Sequence, residues 1–144
     1  MRFVLAIALT VMSLSACAAA FNPVVTLSKQ SGLSPNEVKA LIKDCSANQT
    51  SMNMCAWYDK IKADHELHML LVKKRSACPD SSRYSKATVA KWQAKRDRAC
   101  KDSAMKQWGG GSMKPAAESM CVTASTQEKI DNIRKSKCAS KPHA

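Results

Sequence analysis

Six cysteines spread from Cys45 to Cys138 constrain this chain more than any other feature of its sequence. The seventh, Cys17, lies in an N-terminal segment that has the pattern of an export signal. An even number of cysteines in an exported chain favours disulfides, because the compartment outside the cytoplasm is oxidising. No Cys-x-x-Cys motif occurs, which argues against a zinc module, a thiol redox site or a c-type haem. The sequence therefore predicts a small disulfide-rich fold without a cofactor.

Residues 1–17 have the order of an export signal segment. Arg2 supplies the positive start, and residues 3–11 form an apolar run that is too short to span a membrane. The tetrad Leu14–Cys17 resembles a bacterial lipobox, in which Cys17 would carry lipid and become the new N-terminus. Ordinary signal cleavage a few residues later is the alternative. Both alternatives predict export to the periplasm or cell envelope, and the first adds a lipid anchor.

The rest of the chain is predicted to form one all-α domain. Gly and Pro are scarce, with four and five residues, and the residue types that favour helices are common. Residues 18–33 show no periodicity and contain turn residues, which predicts a tether. Residues 34–138 are the predicted helical domain, and residues 139–144 are a predicted frayed tail. A core this small is expected to need disulfides for stability.

Start and stop signals divide the predicted domain into four helices. Ser34–Glu37 has a capping-box pattern with Pro in the first turn, so a short helix begins there. Cys78–Pro79 interrupts the next helical segment, and Gly109–Gly111 ends the third. The longer helices are predicted at about residues 50–74, 85–107 and 115–138. The expected architecture is a small, disulfide-stapled helical hairpin or bundle of three to four helices.

Six cysteines allow fifteen disulfide connectivities, and helix geometry narrows the choice. In an antiparallel hairpin, the start of one helix lies beside the end of the next. This geometry predicts three bonds, Cys55–Cys100, Cys45–Cys121 and Cys78–Cys138. The first two of these bonds could exchange partners.

The chain is strongly basic, with 23 Lys and Arg residues against 11 Asp and Glu and a formal net charge of +12. Such a charge favours anionic partners, such as phospholipid or lipopolysaccharide head groups, nucleic acid or an acidic protein. The positive residues are spread through the helical segments and do not form a single arm. Nucleic acid is not expected as the partner, because the chain is predicted to be exported.

Three blocks of residues follow one another in an order that is typical of one protein family. The first block is Cys45, Met52-Asn53, Cys55-Ala56, Ala63-Asp64 and Leu67. The second is Trp92, Arg96-Asp97 and Cys100, and the third is Gly110-Gly111-Ser112, Cys121, Thr126 and Ile133. Over roughly residues 45–135 these blocks resemble the LprI-like family, which is defined by the lysozyme inhibitor LprI N-terminal domain. Cys78 and Cys138 look like a bridge added to the family pattern.

The resemblance implies a small helical protein of the bacterial envelope that is not an enzyme. For some members it implies inhibition of lysozyme by protein binding. The alternative uses the net charge: a cationic envelope-binding or scaffolding protein that docks on anionic lipid, lipopolysaccharide or an acidic protein.

Five residues are candidate contacts for a protein partner. Trp57 and Trp108 are candidates because Trp is enriched at binding hot spots, whereas Trp92 is assigned to the core. Common animal lysozymes are themselves cationic, so an inhibitor with this charge would need an acidic patch. The acidic residues available on one predicted helix are Asp59, Asp64 and Glu66.

Metal binding and catalysis have weak support in the sequence. His65 and His68 lie three residues apart on a helix and could share a face, but no third ligand is obvious nearby. We therefore expect an exposed polar stretch there and no metal site. No nucleophile motif or phosphate-binding loop occurs, and Arg96-Asp97 is expected to fix the end of the hairpin beside Cys100.

Overall fold

The computed structural model describes residues 20–138, which form five α-helices and one short 3-10 turn. The helices are α1 Pro23–Ser31, α2 Pro35–Leu41, α3 Gln49–Ala77, α4 Lys86–Trp108 and α5 Lys114–Lys135, and the turn is Ser82–Tyr84. The all-α class is confirmed. The predicted signal segment 1–17 with its lipidation candidate Cys17, and the predicted tail 139–144, lie outside the described residues.

Local capping signals set the ends of the long helices. The side chain of Asn48 accepts a hydrogen bond from the Ser51 backbone N–H and so begins α3. The side chain of Ser85 does the same for α4 by accepting from the Thr88 N–H. Gly109 has a φ of +55°, a conformation that suits glycine, and it ends α4 directly before the turn into α5.

Helix α5 is the centre of the bundle, because it packs along both α3 and α4. Where α3 ends and α4 begins, side chains from all three helices and the 3-10 turn form one apolar core. We call this the tip cluster, and its buried members are Leu67, Leu71, Cys78, Tyr84, Val89, Ile130 and Ile133. Trp92 is partly buried and packs against this cluster, so its predicted core position is only partly realised.

A second core lies at the other end of α3, where α1 and α2 pack against it. We call it the base cluster, and its buried members are Leu27, Val38, Met54 and Ile61. Leu27 and Val38 are fully buried, although each belongs to a helix of fewer than ten residues. The short helices therefore close the core at this end.

The predicted tether at residues 18–33 is wrong for most of its length, because α1 occupies Pro23–Ser31. The Asn22 side chain accepts hydrogen bonds from the N–H groups of Val24 and Val25, and Pro23 fits the first turn. Gly32, with a φ of +77°, ends the helix. The residues that suggested an irregular segment are the start and stop signals of a short helix.

Two of the three predicted disulfides are also wrong. The structure pairs Cys45 with Cys55 and Cys100 with Cys121, in place of Cys55–Cys100 and Cys45–Cys121. The backbones of α3 and α4 do not pack against each other, so Cys55 bonds instead across the loop that precedes α3. Because α4 and α5 are joined by a short turn, Cys100 near the end of α4 lies opposite Cys121, with 5.5 Å between the Cα atoms.

The third bond, Cys78–Cys138, is present in the structure as the sequence predicted. It joins the end of α3 to the segment after α5, so it closes the tip of the bundle. Among residues 20–138, no helix is both long enough and apolar enough to cross a lipid bilayer.

Candidate binding site

A polar network centred on Arg96 connects the three long helices between the tip and base clusters. The Arg96 side chain is only 4% exposed. Its Nη1 donates to Asp64 Oδ1 of α3 at 2.7 Å and to Thr126 Oγ1 of α5 at 2.6 Å. Its Nε and Nη2 lie 2.8 and 2.7 Å from Asp97 Oδ1 on its own helix. One guanidinium thus binds three helices together.

Two members of this network, Thr126 and Asp64, have further partners. Thr126 Oγ1 donates to the Val122 carbonyl at 2.7 Å while it accepts from Arg96. Lys60 Nζ lies 3.4 Å from Asp64, so that carboxylate faces two cations. No buried side-chain nitrogen or oxygen among residues 20–138 lacks a hydrogen-bond partner. A buried arginine is tolerated when it is paired in this way, so the network is structural.

Two cations lie near the ring of Trp92 beside this network. The Arg96 Cζ is 5.2 Å from the ring centroid, and the Lys129 Nζ is 5.3 Å from it, distances at which cation–π attraction operates. The ring lines a groove of about 430 Å³ between α4 and α5, together with Lys95, Ser125, Glu128 and Asn132 among others. Because two cations lie near its ring and it packs against the tip cluster, Trp92 contributes more to helix packing than to an open contact surface.

A second groove, of about 470 Å³, lies between the first half of α3 and the start of α5. Trp57 forms part of its wall, and the other lining residues are Thr50, Asn53, Met54, Lys60, Pro115, Glu118 and Ser119. Asn53 Nδ2 donates to the Ser112 carbonyl at 3.2 Å, which fixes the α4–α5 turn beside the groove. The groove is mostly apolar with a few polar groups, which is the composition of a contact site.

Trp108 lies at the same end of the bundle, at the last residue of α4. Its surface is 40% exposed, and Met105 one turn earlier is 47% exposed. The turn that follows consists of three glycines and Ser112, so no large side chain covers the ring from that side. We call the Trp57 groove together with Trp108 and the α4–α5 turn the base surface, because it lies where α3 begins, α4 ends and α5 begins.

The three acidic candidates do not form an open acidic patch. Asp64 is paired with Arg96 and Lys60, as described above. Glu66 forms an ion pair with Arg134 of α5, with 2.5 Å between the oxygen and nitrogen atoms. Asp59 has a side chain that is 60% exposed, and its nearest cation, Lys62, lies 3.9 Å away. Asp59 is therefore the candidate that is most open to a partner.

The two histidines are engaged in different surroundings. The ring of His65 stacks on Phe21, with 3.6 Å between the ring centroids and 6° between the planes. His68 is exposed on the next turn of α3. Among residues 20–138, no group of three His, Cys, Asp or Glu side chains could hold a metal ion. The stack instead fixes the segment before α1 to the middle of α3.

Two exposed carboxyl groups near the base have shifted pKa values. Hydrogen bonds from the Ser34 side chain, and secondly from its backbone N–H, lower the pKa of Glu37 in α2. The Ser46 side chain, and secondly its backbone N–H, lower the pKa of Asp44 in the loop before α3. Both groups stabilise turns and caps, and neither faces a cavity.

The fold and the site define a class: a small all-α protein whose three long helices are joined by disulfides and a buried arginine network, with an apolar groove at one end. The chain belongs to the LprI family, the lysozyme inhibitor LprI family, whose model matches residues 43–133. Searches of curated proteins and of solved structures found no match to this chain. The matched segment begins just before Cys45 and includes α3, α4 and nearly all of α5.

The sequence singled out the residues of the network but did not show that they form one network. Asp64, Arg96, Asp97 and Thr126 all belong to the blocks that carry the family resemblance, and the structure brings them together. A buried arginine needs carboxylate partners. The presence of Arg96 and of Asp64 and Asp97 in the same family blocks is the signal that could have revealed the network. The Trp57 groove carried no signal in the sequence, because α5 supplies its second wall.

Proposed function

We propose that this protein is an exported, non-enzymatic inhibitor that binds lysozyme, and that the base surface is its contact region. The family match over residues 43–133 is the observation that carries this proposal. Export rests on the signal-like segment 1–17, and lipid attachment at Cys17 belongs to the same proposal. A binding protein of this kind needs a rigid surface with a few anchor residues.

The base surface meets that requirement. Trp57 and Trp108 supply large apolar contact area, and tryptophans surrounded by a rim that excludes water are typical binding hot spots. Two disulfides hold this half of the molecule, since Cys45–Cys55 joins the loop before α3 to its first turns and Cys100–Cys121 joins α4 to α5. A surface fixed in this way loses little conformational entropy on binding.

Charge favours the Trp57 groove within the base surface for a cationic enzyme. The Trp57 groove has one basic and one acidic wall residue, Lys60 and Glu118, and Asp59 is exposed on the same helix. This groove is close to electrically balanced, although the whole chain carries +12 and Lys106 and Lys114 flank Trp108 and the α4–α5 turn. A cationic lysozyme could therefore approach it with less repulsion than the average surface would produce.

The test is lysis of bacterial cell walls by lysozyme while oxidised or reduced protein is titrated in at two salt concentrations. We expect dose-dependent inhibition by the oxidised protein, and loss of inhibition after reduction, because the disulfides hold the base surface. Trp108→Ala should weaken inhibition about 10-fold or more, the loss expected for a hot-spot residue. Met69→Ala is the matched control, because Met69 is exposed but lies on another part of α3. Absence of inhibition by folded, oxidised protein would refute the proposal for the lysozymes tested.

A further inference from the structure

Among the helices of residues 20–138, α4 has the largest excess of positive charge. Helix α4 contains seven Lys and Arg residues against two Asp, whereas α3 contains five against three and α5 four against three. One of the seven, Arg96, is buried in the network, and the others are exposed. Helix α4 therefore has a net charge of five, against two for α3 and one for α5.

Five of these residues follow one another along the side of α4 that faces solvent. We call them the α4 stripe, and they are Lys91, Lys95, Arg98, Lys101 and Lys106. Their spacing of three to five residues places them on one broad face, opposite the buried residues Val89, Arg96, Cys100 and Ala104. The stripe extends over roughly 22 Å, given a rise of about 1.5 Å per residue.

The charges of the α4 stripe are not neutralised within the molecule. None of its five members forms an ion pair within residues 20–138. By contrast, Lys60 is paired with Asp64 and Arg134 with Glu66 on the neighbouring helices. Asp102 is the acidic residue on the same face, so the stripe has a net charge of four. These cations are available to an external anionic partner.

We propose that the α4 stripe docks this protein on the anionic lipid head groups of a membrane surface. A flat partner with repeated negative charge matches a row of cations about 22 Å long better than a single small anion does. Between the first and last cations this face carries Ala94, Asp102 and the exposed Met105, so it lacks the aromatic anchors of a protein interface. Basic residues near an anionic bilayer gain about 1 kcal/mol each, which makes five of them sufficient for reversible binding.

This docking does not depend on lysozyme binding at the Trp57 groove, although the last cation of the α4 stripe, Lys106, lies two residues before Trp108 of the base surface. With the α4 stripe against the bilayer, the Trp57 groove between α3 and α5 lies on another side of α5 and stays accessible. Docking is also distinct from lipid attachment at Cys17, since it comes from the folded domain and should weaken as salt screens the charges.

The test is sedimentation of the purified, oxidised protein with vesicles of phosphatidylcholine, with and without phosphatidylglycerol, at increasing salt. We expect binding only to vesicles with phosphatidylglycerol, and steep loss as salt rises. Replacing Lys91, Arg98 and Lys101 by Gln should weaken binding about 100-fold, since three contributions of about 1 kcal/mol are lost. Gln keeps the helix propensity of these exposed positions, so folding should be retained.

The control variant removes the same charge elsewhere, with Lys39, Lys43 and Lys73 replaced by Gln. These three residues are exposed on α2, on the loop that follows it and on α3. We expect this variant to bind within about threefold of the unchanged protein, because interactions beyond a Debye length of about 8–10 Å are screened. Equal losses in both variants would show that net charge alone drives binding and would overturn the proposal. No binding to phosphatidylglycerol vesicles, with retention of a soluble polyanion, would overturn it as well.

Discussion

The two ends of α3 are buried by different means. At the tip, three long helices meet, and the cluster is closed by Tyr84, which is 1% exposed and whose hydroxyl lies 2.6 Å from Ser136 Oγ. Lys74 Nζ donates to the Ser136 carbonyl at 2.7 Å, so polar contacts fix the chain after α5 to α3. At the base, two short helices cover α3 by inserting Leu27 and Val38.

This difference shows which parts of the fold can form by themselves. Helices of nine and seven residues are unstable alone in water, so α1 and α2 exist because they dock on α3. The long helices at the tip bring most of their own periodic apolar surface. The base should therefore be the end that opens more readily, and the tip should contribute more to the stability of the whole domain.

Removing Cys78–Cys138 at the tip or Cys45–Cys55 at the base should produce the largest effects and test this difference. Loop-closure entropy predicts a loss of about 4 kcal/mol when Cys78 and Cys138 are replaced by alanine, because they are 60 residues apart. The same change at Cys45 and Cys55, which are 10 residues apart, should cost about 3 kcal/mol. Urea unfolding of both double variants measures the two losses. A larger loss at the base would contradict the ranking of the two ends.

Replacing Arg96 tests whether the two ends unfold as one unit. We expect Arg96→Ala to cost about 3 kcal/mol, the lower part of the range for a broken buried ion pair, because Asp64 and Asp97 stay partly solvated. Circular dichroism and tryptophan fluorescence should give coincident transitions in the unchanged protein and separate ones in the variant. Lys95→Ala, at the exposed neighbour, should change stability by less than about 0.5 kcal/mol. A similar loss in both variants would argue against the network.

Leu27→Ala tests the docking of α1 at the base. This substitution should lower the free energy of unfolding by about 2–3 kcal/mol, because α1 can move only partly into the cavity that the leucine leaves. Amide hydrogen exchange should become faster in α1 and remain slow at the tip, since the base opens locally. Val25→Ala is the matched control on the same helix, because Val25 is 38% exposed. If residues 23–31 behaved as a tether, the two variants would be equally neutral.

The sequence predicted the tip much better than the base, and the reason is physical. The ends of the three long helices are set by residues close to them in sequence, such as Ser85 and Gly109. The predicted ends of these helices therefore agree with the structure within a few residues. Asn22 and Gly32 have the same functions in α1, but a nine-residue segment has too few periodic positions to distinguish a helix from a loop. Whether such a short segment becomes a helix depends on its packing against the rest of the protein, and a single sequence does not show that packing.

The sequence nominated single contact residues for the candidate site and did not predict how they are arranged. Trp57 and Trp108 were named one by one, and the structure places them at one end because the turn between α4 and α5 folds back beside Asn53. The disulfide pairs failed for a related reason. They were derived from a hairpin of α3 and α4, whereas α5 is the helix that packs along both.

The smallest predicted effect concerns the cap of α2 at the base. Ser34 and Glu37 form a capping box, in which the Glu37 carboxylate accepts from the Ser34 N–H at 2.7 Å and Ser34 Oγ accepts from the Glu37 N–H at 3.3 Å. Ser34→Ala should cost about 1 kcal/mol, the usual loss for an N-cap. It should also raise the pKa of Glu37 toward its ordinary value, because the Ser34 side chain is the main cause that lowers it.

The pH dependence of this cap has a definite sign. The pKa of Glu37 is lower in the folded protein than in the unfolded chain, so the unfolded chain binds the proton more readily. The stabilisation is complete above the unfolded pKa and disappears as the pH falls through the folded one. Titration of the Glu37 carboxyl carbon by NMR should show the upward shift in Ser34→Ala. Ser46→Ala should instead raise the pKa of Asp44 and leave Glu37 unchanged. If Ser34→Ala leaves the Glu37 titration where it was, the cap does not hold α2 at the base, and docking of Val38 alone would account for that helix.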